Sequence, residues 1–112
     1  MIRTIYNQFD TTLYDLRAVK LLKESGFEDE SWGNDSCPSF AKRGTGYEIQ
    51  VLIETINPDS REFFGQSQHT AIVKTLYAIG CVDQEKTFES ESIDDLINDV
   101  SQEIPDSGIF AN

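Results

Sequence analysis

Positive charge is scarce in this 112-residue chain: nine Lys and Arg stand against twenty Asp and Glu, for a net charge of −11. An anionic surface of that density repels nucleic-acid phosphates and anionic lipid, which argues against direct DNA or RNA binding and against a membrane surface. There are two Cys and one His. Structural zinc needs about four Cys or His ligands in paired spacing, so that class is excluded, as is a disulfide scaffold. No apolar run is long enough to span a bilayer. The opening "MIRTIYNQFD" carries no apolar segment of the signal-peptide kind, so the expectation is a cytoplasmic protein with reduced thiols. No phosphate-cradling loop, dinucleotide fingerprint or nucleophile elbow occurs, and no cofactor is expected.

What is present is a pattern of one domain, residues 1–112. Residues 1–9, which mix Ile2, Ile5, Tyr6 and Phe9 with polar residues, read as a short strand or an arm. "DTTLYDLRAVKLLKESG" reads as a helix capped by Asp10, Thr11 or Thr12, with Tyr14, Ala18, Leu21 and Leu22 forming an apolar stripe that Leu13 and Leu16 widen. Gly26 is placed to stop it, and Phe27 to fold back on its last turn. "ESWGNDSCPSF" is the corner that leads into the sheet, its turn closed by Asn34 or Asp35 and its Trp32 capping the core edge or contacting a partner. "SFAKRG" is a short strand, "RGTG" a hairpin turn, and "YEIQVLIETI" a strand with Tyr47, Ile49, Val51 and Ile53 on one face. After the loop "NPDSREFFGQSQ", "HTAIVKTLYAIG" is apolar on both faces, as a central strand is. "VDQ" reads as a turn and "KTFESE" as a short strand with Phe88 inward. "SIDDLINDVSQEIP" is the second helix, with Ser92 and Asp95 in a capping-box relation, Ile93, Leu96, Ile97, Val100 and Ile104 on its inner face, and Pro105 ending it. The expected fold is α+β: an antiparallel three- to four-stranded meander covered by two amphipathic helices, in the order α-β-β-β-β-α.

Catalytic signals are thin. His69 could pair with Cys37 as a base with its nucleophile, but no surrounding signature supports that, and an ordinary strand histidine is the simpler reading. The acids of "EDESWGND" do not fit calcium-loop spacing. Charge is the strongest feature. From Asp83 to Asp106 there are nine acids and one base, Lys86. The second helix carries Asp94, Asp95, Asp99 and Glu103 off its apolar stripe, and Asp95 and Asp99 sit at the repulsive i, i+4 spacing. Glu28, Asp29, Glu30 and Asp35 form a second group. Solvated surfaces are the plain explanation of both.

The stretch "GFEDESWGNDSCPSF", Gly26 to Phe40, resembles small bacterial proteins carried by plasmids and phages. In size and acidity the chain is also similar to anti-CRISPR and anti-restriction inhibitors, several of which imitate nucleic acid. The first resemblance implies a mobile-element origin and nothing about activity; the second, of size and charge, transfers no residue. The expectation drawn from charge is a non-enzymatic binding protein that occupies the basic groove of a nucleic-acid-handling protein. Carboxylates of both groups would meet its Lys and Arg, and Trp32, Phe63 and Phe64 would supply apolar anchors. It requires the carboxylates to be gathered on one side. The alternatives are an inhibitor or adaptor working through apolar contact at 57–68, with acidity that only aids solubility, and a small Cys37/His69 enzyme.

Overall fold

A computed structural model describes residues 13–30, 37–44, 46–57, 67–78 and 81–103. The elements are α1 (Leu16–Glu24), β1 (Glu28–Asp29), β2 (Ser39–Gly44), β3 (Tyr47–Ile53), β4 (His69–Ala78), β5 (Cys81–Ser90) and α2 (Ile93–Glu103). The strands form one antiparallel sheet in chain order, β1-β2-β3-β4-β5. This is the α+β meander between two helices that the pattern predicts, with one strand more. The N-terminal strand, the Pro105 stop, Ile104 and the caps Asp10, Thr11 and Thr12 fall outside the described residues.

Register sorts the side chains. Phe40 pairs with Val51, Val51 with Ala71, and Ala71 with Phe88, so these share a face. Ile49 and Val73 lie opposite each other on it, and Ile53 opposite His69. Both helices cover that face. Ala18, Val19 and Leu22 of α1 and Ile93, Leu96 and Val100 of α2 join Phe40, Ile49, Val51 and Ile53 in one buried cluster. Burial of that apolar area is the main force holding the layers together.

The first helix begins later than its sequence suggests. Asp15 is the N-cap: its Oδ1 accepts from the Ala18 N–H at 3.2 Å. Leu13 and Leu16, expected to widen the apolar stripe, are exposed, and Val19 takes a core place instead. The C-terminus follows expectation. Gly26 adopts φ +90°, its N–H bonds the Lys23 carbonyl, and the Phe27 N–H bonds the Leu22 carbonyl. That paired arrangement needs a left-handed residue after the cap, which glycine adopts without strain. Phe27 is buried as a result.

Two further strands depart from the expectation. Glu28 and Asp29, read as loop, pair with Ala41 and Phe40 as β1. β5 runs ten residues and absorbs the "VDQ" turn, because β4 pairs with it from His69↔Ser90 to Thr75↔Gln84 and, past a register shift that leaves Asp83 unpaired in the ladder, at Leu76↔Val82 and Ala78↔Cys81. Register shifts at Thr75/Leu76 and Leu76/Ala78 break the alternation of β4. Tyr77, at an odd-numbered position in the strand with Ala71 and Val73, is exposed at the hairpin end rather than set on their buried face. Gly44 closes the β2–β3 hairpin, where the Tyr47 ring occupies the space a Cβ would need.

Candidate binding surface

Polar bonds fasten the helices to the sheet. Asp15, besides capping α1, places Oδ2 3.2 Å from His69 Nε2, and His69 Nδ1 lies 3.2 Å from the Ser90 carbonyl oxygen. The imidazole is buried. With both ring nitrogens engaged, it is not poised to serve Cys37, which is itself buried in the core. At the other end of α1, Lys42 Nζ donates to the Ser25 carbonyl at 2.7 Å and lies 6.0 Å from the Phe27 ring centre. A cation at a helix C-terminus meets the negative end of the dipole. Arg17 bridges the helices by donating to both oxygens of Asp94 at 2.8 Å. That bond first, and the carboxylate's charge second, raise the Arg17 pKa.

The face away from the helices carries a charge row whose sign alternates. Arg43 pairs in register with Glu48, Glu48 with Lys74, and Lys74 with Glu85. Glu30 extends the row beyond Arg43, whose Nη1 and Nη2 reach its oxygens at 2.6 and 3.0 Å. Arg43 Nε donates to Glu48 at 3.2 Å, and Lys74 Nζ lies 3.9 Å from Glu85. Cross-strand opposite charges of this kind stabilise a sheet face. The hydrogen bonds from Arg43 hold the Glu30 carboxyl below its ordinary range, against the opposing effect of its partial burial. Glu30 in turn raises the Arg43 pKa.

The carboxylates singled out from sequence therefore divide. Glu28, Asp29 and Glu30 sit at the β1 edge, beside α1. Asp94, Asp95, Asp99 and Glu103 sit on α2, which packs on β4 and β5 at the opposite edge. Four strand spacings, roughly 19 Å, separate the two edges. The two groups do not merge into one surface. Within the first, Asp29 is buried and Glu30 is bound to Arg43. Asp35, Trp32, Phe63 and Phe64 lie outside the described residues.

The α2 group belongs to a larger acidic region that includes β5. Residues 81–103 hold eight acids against Lys86 alone, a net −7 of the chain's −11. The described residues 13–30 and 37–44 hold five acids and five bases and are neutral. Helical geometry sorts the α2 acids. Ile93, Leu96 and Val100 point to the core, and Asp94 points toward α1. Asp95, Asp99 and Glu103, spaced i, i+4, i+8, form a ridge on the other flank. Glu103 identifies where that ridge faces, because it pairs with Lys86 of β5 at 3.0 Å. The ridge flanks the outer edge of β5 on the helix side, and Glu85 and Glu89 are exposed on the open face of the same strand, with Asp83 exposed beyond them. Among the described residues, Asp83, Glu89, Asp95 and Asp99 have no cation partner. The β5 acids fall inside the acid-rich stretch from Asp83 that the sequence reveals; Glu89 lies in the strand expected over "KTFESE", whereas Asp83 falls in the expected "VDQ" turn. Among the described residues no three His, Cys, Asp or Glu side chains converge as metal ligands would, and no helix is long and apolar enough to cross a membrane. No family model matches the chain, and neither the curated proteins nor the solved structures yield a significant match.

Proposed function

We propose that the chain is a non-enzymatic binding protein that docks the acidic surface of β5 and α2 on a cationic groove of a nucleic-acid-handling protein and blocks it. One observation carries this reading: Asp83, Glu89, Asp95 and Asp99, with no cation partner among the described residues, lie on β5 and the outer ridge of α2 in a segment of net charge −7, while residues 13–30 and 37–44, which hold α1, β1 and β2, are neutral in sum and leave Glu24 and Glu28 unpaired. Asp95 and Asp99 repel each other at i, i+4, and Glu103 sits at the negative end of the helix dipole, so stability alone would not select this arrangement. A groove lined with Lys and Arg would relieve that repulsion. Such docking speeds association at low ionic strength and weakens as salt screens it.

The test separates the ridge from the bridge. Asp94 holds Arg17, so its reversal would disturb the helix pair; Glu89, Asp95 and Asp99 are free of that complication. Titration with polylysine, followed by amide NMR, is expected to perturb residues 81–103 and to spare residues 13–30. The triple reversal Glu89→Lys, Asp95→Lys, Asp99→Lys is expected to abolish the perturbation and any inhibition of DNA binding by the chain's target, with the circular dichroism spectrum retained. Perturbations spread evenly over the chain would overturn the reading.

A second reading rests on Tyr77, 75% exposed beside the exposed Val82 at the β4–β5 hairpin end. Here apolar contact dominates and the acidity is incidental. Tyr77→Ala would then weaken inhibition more than the triple reversal does.

A further inference from the structure

The β5 edge is unusual in how it is protected. Long edge strands invite pairing with other chains, and natural sheets blunt them with short length, proline, inward charges, lysines or bulges. β5 is ten residues long, contains no proline, and pairs with β4 without irregularity from Gln84 to Ser90. Among the described residues no strand covers its outer side. Its protection is charge that is mostly negative, with Lys86 the single base on the strand. Asp83, Glu85 and Glu89 line the strand, and the Asp95–Asp99–Glu103 ridge flanks it on the helix side. Such a device is selective. Two copies of this edge repel each other, so self-pairing is disfavoured, while an extended cationic segment meets a single like charge, Lys86, which Glu103 already pairs.

We infer that the outer edge of β5 accepts a Lys/Arg-rich extended segment of the partner as a sixth strand, an inference that rests on the docking surface proposed above. Main-chain hydrogen bonds to β5 would supply affinity, and side-chain alternation would supply specificity. Along an added strand, successive side chains point to opposite faces. One set would meet Asp95 and Asp99 beneath α2, and the other Glu85 and Glu89 on the open face. A partner strand with basic residues on both faces satisfies both rows. A partner helix of equal charge would reach the ridge but leave the β5 edge unpaired.

Two ten-residue peptides of equal lysine content, matching the length of β5, distinguish these cases. One alternates Lys pairs with Thr pairs, which sets Lys on both faces of an added strand and favours extended structure; the other places Lys among Ala and favours helix. Both are titrated into the full chain at low ionic strength, with amide hydrogen exchange read by NMR. The expected result is tighter binding of the alternating peptide, with exchange at outward-facing β5 amides slowed on the order of tenfold or more. Glu85→Lys with Glu89→Lys should remove that protection. Equal, salt-sensitive binding of both peptides without slowed exchange in β5 would overturn strand addition and leave acidic docking intact. Failure of both peptides to bind would overturn both proposals.

Discussion

At the β1 edge of the sheet, Glu30 shares the Arg43 guanidinium with Glu48, and Lys42 closes the end of α1. At the β5 edge, Asp83 and Glu89 have no cation partner among the described residues, nor do Asp95 and Asp99 above them. The same side-chain types occupy both edges. On the first side Glu30 and Glu48 are assigned to Arg43 and Glu28 is left to solvent; on the other, Glu85 and Glu103 find lysines and four acids are left to solvent. Acids engaged locally serve the fold. Acids held apart from cations store repulsion that only an outside charge relieves. If that difference is real, core and carboxylate substitutions should behave oppositely on the two sides.

The largest effect tests whether the β1–β2 side carries the structure. Phe40 of β2 is fully buried, whereas Phe88 of β5 is half-buried against the core margin. Phe40→Ala is expected to cost about 3–5 kcal/mol and Phe88→Ala about 1–2 kcal/mol, measured by urea unfolding. Equal costs would break the comparison by making β5 as structural as β2.

A single carboxylate gives the next contrast. Asp15 caps α1 with one oxygen and approaches His69 with the other. Asp15→Ala should cost about 1 kcal/mol for the lost cap. It should cost a further 1–2 kcal/mol, roughly, for a buried imidazole nitrogen left without its partner. Asp15→Asn keeps the cap and should recover the smaller part. An Asp15→Ala protein as stable as the parent would show that a carboxylate on this side is as dispensable as those of the ridge.

Asp15 also marks how far the sequence could be read. Asp10, Thr11, Thr12 and Asp15 are all competent caps, and the structure assigns the role to Asp15, the one that also meets His69, a residue 54 positions on. No local rule contains that information. β3 was legible because Tyr47, Ile49 and Val51 alternate with Glu48 and Gln50 before the apolar run Val51-Leu52-Ile53. β5 was truncated because Val82-Asp83-Gln84 resembles a turn, and β4 supplies the pairing that makes it strand. β1 was illegible because two acids have poor strand propensity; pairing with β2 overrides it. The candidate surface followed the same division. The α2 ridge was legible from helical spacing. The separation of the β1 acids from it depends on strand order, and the commitment of Asp94 to Arg17 depends on how two helices pack.

A smaller effect concerns pH on the balanced side. The folded-state pKa of Glu30 lies below its unfolded value near 4.5, mainly through its hydrogen bonds to Arg43. The stability it contributes is therefore present above that unfolded value and is lost as pH falls through the lower folded value. Because Arg43 is half-exposed, solvent screening limits the contribution to about 0.5–1 kcal/mol. Arg43→Met should remove it at neutral pH and flatten the acid limb of the stability profile below about pH 4.5. An unchanged acid limb would mean that the charge row contributes nothing to the fold.

The smallest effect has the opposite sign. Asp99 stands one turn from both Asp95 and Glu103, so two like-charge pairs meet at its carboxylate. Asp99→Asn removes both repulsions with little change in helix propensity or size. It should stabilise the chain by a few tenths of a kcal/mol at low ionic strength, with the gain fading as salt rises. The same substitution removes a carboxylate from the ridge above β5 and should weaken binding of the alternating lysine peptide. A gain in stability coupled to a loss in binding is what a residue retained for docking produces, since selection for stability alone would have replaced it. Loss of both together would place Asp99 among the structural acids, with Asp15 and Glu30, and would erase the difference between the two edges.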